Sequence, residues 1–289
     1  MKKYLLLASL GFLAFTVQSQ THRNYDYHLF DLKTINPAFA GIEEKYSISF
    51  LSSGYELQGA PSNIFMAMDA NIEQLNSGLG LVFENNHVGP LNFSNLIFNY
   101  NYHLNINKSS RLILGTGVKR AVTSFSLSIP SNPSDPVFIS SENSINLDLD
   151  FGIAYILNDL SLGISVINLL NSEQISTGET LNNPRLIHNY IAYDFKINKS
   201  FELKPAVFIS INELDNNYEF NLMSRIFQYL SLGFNVNYLG DRTDLALIAG
   251  INWNDNIELF SVLYSNQRFE GRLNDFSRFQ MGVRVNITE

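Results

Sequence analysis

Ile145-Asn146-Leu147-Asp148-Leu149-Asp150-Phe151-Gly152-Ile153-Ala154-Tyr155-Ile156-Leu157 changes polarity at almost every step. Ile145, Leu147, Leu149, Phe151, Ile153, Tyr155 and Leu157 share one face, while the other begins Asn146, Asp148, Asp150, Gly152. Successive side chains of a β-strand point to opposite sides of its sheet, so this period of two predicts a strand with one apolar and one polar face. The rhythm recurs in both directions along the chain. Leu96, Phe98, Tyr100, Tyr102, Leu104 and Ile106 alternate with Asn99, Asn101, His103 and Asn105. Leu230, Leu232, Phe234, Val236 and Tyr238 alternate with Ser231, Gly233, Asn235 and Asn237, and 279–287 repeats the pattern. After the N-terminus no stretch has a helical period.

Fourteen such strands are expected, at 45–51, 63–71, 77–85, 92–107, 111–126, 144–157, 160–168, 185–197, 201–211, 217–227, 230–239, 243–253, 257–265 and 277–288. Many approach the 9–11 residues of a tilted membrane strand, and bacterial single-chain barrels have an even strand number. A soluble sheet with one buried face also alternates. Three features separate the cases. The polar face is rich in Asn, Ser and Gly rather than Lys and Glu, and Tyr and Phe collect near strand ends, where interfacial girdles form. The connections also alternate in length: Asn107–Ser110, Asn158-Asp159, Asn198–Ser200, Gln228-Tyr229 and Asn254–Asn256 are tight, whereas 127–143, 169–184 and 266–276 are long and polar. Outer-membrane barrels join strands by short periplasmic turns and longer extracellular loops, and a Greek-key sandwich has no reason to do so. The connections 212–216 and 240–242 are short for the outer side. The expected fold is an all-β transmembrane antiparallel up-and-down β-barrel of about fourteen strands.

Composition agrees. Charged residues are 16% of the chain, against about a quarter in soluble domains. Lys2 and Lys3 followed by the apolar stretch 4–17 and the small residues near Ser19 read as a secretory signal, 1–19, too short to span a bilayer. Gln20 then begins the mature barrel chain, 20–289, with 20–44 as a periplasmic N-terminal segment. Of 19 basic side chains two belong to the signal, against 27 acidic ones; so acidic a chain without a basic cluster is unsuited to nucleic acid. There is no cysteine, hence no disulfide or thiolate chemistry.

The motifs of the N-terminal half carry a family resemblance. Ile35-Asn36-Pro37-Ala38-Phe39-Ala40-Gly41 resembles the INPA[YF]AG segment of the PorP/SprF family, outer-membrane proteins of the type IX secretion system of Bacteroidota. Gly59-Ala60-Pro61-Ser62-Asn63 resembles its GAP motif. Gly78-Leu79-Gly80-Leu81 with Asn86–Pro90 is similar to its GLG strand and turn, and Tyr100-Asn101-Tyr102-His103-Leu104 to its YxYHL strand. Order and spacing agree over 25–125. The basic-Gln-Trp tract usual before the GAP motif is replaced by Ser53-Gly54-Tyr55-Glu56-Leu57. The resemblance implies a role in secreting or retaining a cognate large surface protein of adhesin or gliding type, with outer-membrane lipid and type IX components as further partners. Residues alone lead as far as a barrel, for which a passive channel for small solutes is the other reading.

Chemistry-bearing residues are sparse. Asp148 and Asp150 share a strand face and are read as solvated lumen carboxylates rather than an acid–base pair or cation site. Lys119, Lys196, Lys204, Arg225 and Arg284 fall on the same polar interior as Asp194, Glu202 and Glu219, and mixed signs suggest ion pairs rather than a selectivity field. His22, His28, His87, His103 and His188 have no zinc spacing, and no nucleophile motif accompanies them. No catalytic residue, metal or cofactor is expected. Gly115, Gly117, Gly152, Gly163, Gly233, Gly250 and Gly282 mostly share the polar register and are read as sites of barrel curvature. Pro130, Pro133 and Pro136 punctuate an extracellular loop, and these, with Asn36, Pro37, Gly41, Gly59, Ala60 and Pro61, are the expected partner-binding residues. For the Asn36-Pro37 segment three roles stay open: a cap or plug of the lumen, a contact with periplasmic machinery, or a rigid lead-in to the first strand.

Overall fold

The computed structural model describes residues 27–42, 45–55, 61–125, 143–176, 179–182, 184–212, 216–239, 242–254, 256–267 and 278–287. The expected signal peptide lies outside them. The strands are β1 (Tyr46–Tyr55), β2 (Ser62–Ile72), β3 (Ser77–Val88), β4 (Leu91–Asn107), β5 (Ser110–Phe125), β6 (Asn143–Leu157) and β7 (Leu160–Ile167). Then come β8 (Glu173–Ser176), β9 (Glu179–Asn182), β10 (Leu186–Tyr193), β11 (Phe195–Asn198), β12 (Phe201–Ile211) and β13 (Asn216–Ile226). The chain ends with β14 (Leu230–Leu239), β15 (Arg242–Asn254), β16 (Ile257–Gln267) and β17 (Arg278–Ile287). Neighbours pair antiparallel, β7 pairs with β10, β10 with β12, and β17 with β1, so the sheet closes on itself. The strands β8 and β9 form a separate hairpin. Since β10 and β11 are halves of one strand, the barrel has fourteen, as the alternation predicts.

The expected strand 185–197 is interrupted at Asp194. The break lies opposite Lys204-Pro205, between the pairs Ala192 with Ala206 and Phe195 with Leu203. Pro205 has no N–H to give the ladder, and the Asp194 N–H instead donates to the Asp159 carbonyl at 2.9 Å. The first strand runs past its expected end at 51, because β1 pairs with β17 as far as Tyr55.

The register places the apolar face outward. Leu96, Phe98, Tyr100 and Tyr102 are exposed, while Asn99, Asn101 and His103 are buried in the lumen. Two groups among the exposed aromatics mark the ends of the wall. Tyr46, Phe195, Phe227, Tyr229 and Trp253 ring one end, and Tyr218 and Tyr238 stand nearer the other with ring centroids 6.5 Å apart. Tyr218 to Phe227 is nine residues of strand, which at ~3.3 Å per residue and ~40° tilt is about 23 Å, the height of an outer-membrane apolar band. Closure of the fourteen strands pairs the backbone through most of that band, where lipid offers no hydrogen bonds.

Turns at the end that holds the chain's first strand start are short: 73–76, 108–109, 158–159, 199–200 and 227–229. This is the periplasmic side by the rule of short inner turns. Opposite, 126–142 and 268–277 are long, and 168–185 carries the small hairpin. The outer side is less uniform than expected: besides the short connections at 212–215 and 240–241, β3 and β4 are joined by Gly89-Pro90 alone. Gly89 makes that turn with φ +58°, a conformation glycine adopts without steric cost.

Candidate functional site in the lumen

The barrel is not hollow. Residues 27–42 run inside it as three 3-10 turns, Tyr27–Leu29, Leu32–Thr34 and Pro37–Phe39, and pack on the inward faces of the strands. The expected periplasmic placement of this segment is thereby corrected, and of its three open roles the lumenal one fits its contacts. Burial against the inner wall removes Ala38, Phe39 and Ala40 from water, which a periplasmic position would not do.

Asn36 organises the third turn. Its Oδ1 accepts from the Ala38 N–H at 2.9 Å, an N-cap, and Pro37 follows at the first position, where its missing N–H costs nothing. Its Nδ2 donates to the Ile153 and Ile164 carbonyls at 3.1 and 3.2 Å, on β6 and β7. From the wall, Asn101 Nδ2 donates to the carbonyls of Pro37, Ala38 and Ala40 at 3.2, 3.3 and 2.6 Å. Ser165 Oγ and His188 Nδ1 both reach the Ile35 carbonyl. Gly41 turns the chain out toward β1 with φ +62°, and its N–H donates to Asp69 Oδ2 at 3.0 Å.

These contacts lie on one line of the wall. Gly78 pairs with Asn101, Asn101 with Gly115, Gly115 with Gly152, Gly152 with Ser165 and Ser165 with His188, a single cross-strand row over β3, β4, β5, β6, β7 and β10. A Cβ at Gly78 would overlap the Ala40 carbonyl, one at Gly115 the Ala38 backbone, and one at Gly152 the Asn36 side chain. Next to the row, a Cβ at Gly163 would stand 2.8 Å from the Phe39 ring and one at Gly80 2.9 Å from Ala40 Cβ. Curvature is therefore the wrong reading of Gly115, Gly152 and Gly163: they are bare so that another stretch of backbone can lie against the wall. Gly117, Gly233, Gly250 and Gly282 meet only neighbouring wall residues.

Upstream, the segment crosses to the far wall. Tyr27 stacks on Phe65 at 4.8 Å and Phe30 on Phe260 at 3.5 Å. His28 Nε2 lies 2.9 Å from Glu219, whose carboxylate also accepts from Asn217, Asn235 and Asn237. Lys33 is buried between Asp31 and Asp69. Inward positions that alternation would make polar are apolar at this height: Leu51, Phe65, Val82, Ile97, Ile248, Phe260 and Val262 are buried, as is Tyr27, and the half-buried Leu29 and Phe30 pack against them. Such a belt suits a filled lumen and would be unfavourable in a watery one.

Beside and below the segment a chamber of about 610 Å³ extends from the periplasmic strand ends up to Phe208, Glu219 and Asn235. Its wall carries the ion pairs Lys204–Asp194, Arg225–Glu202 and Arg284–Glu258 at 3.4, 3.5 and 3.3 Å. Mixed-sign pairing of the interior is as the sequence suggests. Asp148 and Asp150 differ from expectation: both are buried. Asp148 accepts from the Leu149 and Leu170 N–H groups, each within 2.9 Å, and from Ser172, while Asp150 accepts from Asn168 N and Lys119 Nζ. They pin the start of the 168–185 connection. Among the described residues no cluster of three or more His, Asp or Glu could hold a metal.

Of the expected partner-binding residues, Asn36, Pro37 and Gly41 come together in the lumen. Pro61 precedes β2 at the outer rim, away from them. Gly59, Ala60, Pro130, Pro133 and Pro136 lie outside the described residues. Asn101, Ser165, His188 and the glycine row escape a strand-by-strand reading; aligning the polar faces of adjacent strands in register would have exposed the row.

The profile of a family described as type IX secretion system membrane protein PorP/SprF matches residues 17–281. No curated protein matches the chain. Among solved structures, the CymD monoaromatic hydrocarbon channel is similar at 10% identity and TM-score 0.56, covering 89% of this chain and 92% of its own. The toluene transporter TbuX of Ralstonia pickettii gives 9%, 0.54, 89% and 94%, and a FadL homologue of Pseudomonas aeruginosa 10%, 0.53, 86% and 91%. At such identities the likeness is one of fold, an outer-membrane barrel.

Proposed function

The chain belongs to the PorP/SprF family of type IX secretion system membrane proteins, and we propose that it serves this system as a sealed outer-membrane anchor, helping to secrete or hold a cognate large surface protein of adhesin or gliding type. The observation that carries this reading is the lumenal segment. A barrel whose interior is occupied by its own residues 27–42, locked by side-chain to backbone hydrogen bonds on β2, β4, β6, β7 and β10 and by Arg111 of β5 on the Ile42 carbonyl, is suited to presenting a surface rather than to passing a polypeptide. The contacts of the lumenal segment are hydrogen bonds and packing against the wall, and the role is read as one of binding. The extracellular connections 127–143, 169–184 and 266–276 are then the face that meets the partner, and the mature chain begins at Gln20.

A passive channel for small solutes is the second reading, favoured by the chamber that reaches the segment from the periplasm. A mild-detergent pulldown of the tagged protein from outer membranes, followed by mass spectrometry, separates the two. Recovery of one large surface protein or of type IX components supports the anchor. A barrel that emerges without a partner and shows steady conductance in planar bilayers overturns it. Deleting 130–140 should abolish retention and leave barrel insertion intact.

A further inference from the structure

The chamber carries its charges unevenly. Seven carboxylates and five Lys or Arg side chains line it. Toward the periplasmic mouth four of each are matched one to one: Lys196–Asp159, Lys204–Asp194, Arg225–Glu202 and Arg284–Glu258. The remainder stand on or against the lumenal segment, where Asp31 and Asp69 share the ammonium of Lys33 and Glu219 is held by His28. Three carboxylates there meet one permanent cation, and burial makes an unmatched carboxylate costly. The inner end of the chamber therefore favours added positive charge, whereas its mouth is balanced.

Glu219 fixes how the neighbouring amides are turned. An ionised carboxylate only accepts, so Asn217, Asn235 and Asn237 each give it their Nδ2, at 2.8, 3.2 and 3.4 Å. An amide that turns its NH2 to a carboxylate directs its carbonyl oxygen elsewhere. Asn235 lines the chamber and is 1% exposed, and its Oδ1 has no hydrogen-bond partner. Its cross-strand neighbour on β13 is Asn221, a second lining residue whose buried Oδ1 is unpartnered. One rung of the wall thus leaves two carbonyl oxygens for a donor, beside a buried anion. The same lining includes Phe39, Tyr190, Phe208 and Met223, an apolar side on which methylenes can lie and whose rings attract cations.

We propose that the inner end of the chamber binds the ammonium group of an alkylamine entering from the periplasm, its nitrogen donating to Asn221 Oδ1 and Asn235 Oδ1 beside the charge of Glu219. A primary ammonium has three donors and no acceptor, which matches two bare carbonyl oxygens and an anion. An anionic ligand meets only repulsion there. The volume, about 610 Å³, is that of an organic-ligand site rather than of a single ion. A lysine side chain of a polypeptide and a free diamine share this chemistry. The site does not rest on the anchor reading, since it faces the periplasm and not the surface partner.

The test is calorimetric titration of the folded barrel in detergent at neutral pH, in about 0.3 M sodium chloride so that the exposed charges of the mouth are screened. The probes are cadaverine and a capped tripeptide with a central lysine; their uncharged counterparts are pentanediol and the same tripeptide with a central glutamine. At least one amine should bind tenfold or more tightly than its counterpart. Glu219→Gln and, separately, Asn221→Leu should each lower that affinity at least fivefold with the heat-modifiable folded band unchanged. Asn221→Leu, at a half-buried position, decides the matter if Glu219→Gln does not fold. Tighter binding of the tripeptide than of cadaverine assigns the site to a polypeptide lysine, and the reverse order to a free diamine. Equal binding of amines and uncharged counterparts, or amine affinity untouched by Asn221→Leu, overturns the site. Calcium chloride that binds alone at micromolar concentration and displaces the amine assigns the oxygens to a metal ion and overturns the ammonium.

Discussion

Asn36→Ala removes three hydrogen bonds at once: the cap on Ala38 N–H and the two donations to the Ile153 and Ile164 carbonyls. At roughly 1 kcal/mol net for each neutral bond, the lumenal segment loses about 3 kcal/mol of its hold on the wall. That corresponds to about a hundredfold rise in the population of the undocked form, at 1.4 kcal/mol per decade. The chain contains no cysteine, so a single reporter thiol can be introduced without background. Ser165→Cys is nearly isosteric and places the thiol under Ile35, where Ser165 is buried. If docking and undocking are fast relative to labelling, the maleimide rate follows the open population. In folded barrels reconstituted in vesicles, the rate in the Asn36→Ala background should exceed that of Ser165→Cys alone by about a hundredfold. Equal rates in both backgrounds, or rapid labelling of the reporter alone, would refute the claim that Asn36 locks a segment covering the wall.

Other expected outcomes follow from the same geometry. Gly152→Ala forces a methyl onto Asn36 and should cost about 1–3 kcal/mol, whereas Gly250→Ala, whose nearest neighbour would be 3.3 Å away, should cost less than 1; urea titration of the folded band compares them. Deleting 27–34 should convert a non-conducting barrel into a conducting one in planar bilayers, since Leu29 and Phe30 fill the apolar belt. Asp148→Ala should expose 169–172 to limited proteolysis while the barrel stays resistant, because that carboxylate holds two backbone N–H groups and a serine. Leu247→Arg, outward and midway up β15, should destabilise by about 2–4 kcal/mol, and Trp253→Arg at the periplasmic girdle by about 0–1; equal costs would contradict the placement of the membrane.

The barrel was legible because its signal is local. Each strand writes its own period of two, and tight turns such as Asn158-Asp159 mark where it reverses. The site was not, because it exists only between strands. Gly115 and Gly152 are far apart in sequence, and each taken alone is an ordinary strand glycine; only pairing them in register, with Asn101 and Ser165 on either side, shows a bare strip. The Asn36-Pro37 turn was visible as a turn, but nothing local says that its partners are carbonyls on β6 and β7. The burial of Asp148 is hidden from the sequence for a similar reason: its donors, Leu170 and Ser172, come from a connection whose path is set by two left-handed asparagines. The INPAFAG, GLG and YxYHL stretches, far apart in sequence, meet at one place: Ala40 rests on Gly78 and Gly80, and Asn101 holds Pro37, Ala38 and Ala40.

Only residues 43–45 separate the lumenal segment from β1, and β1 is zipped to β17, the last of the described strands. The seam of the barrel is thus adjacent to its stuffing. A chain tethered so briefly has little slack with which to thread itself into a finished cylinder. Its wall contacts, moreover, lie largely on β2 to β7, which are synthesised first. The order of events this implies is a half-rolled sheet that already cradles its interior, with the seam drawn shut around it. The filling would then be a form on which the cylinder is rolled, and the damage from a cradle defect such as Gly152→Ala should appear as slow or failed closure before it appears as a leak.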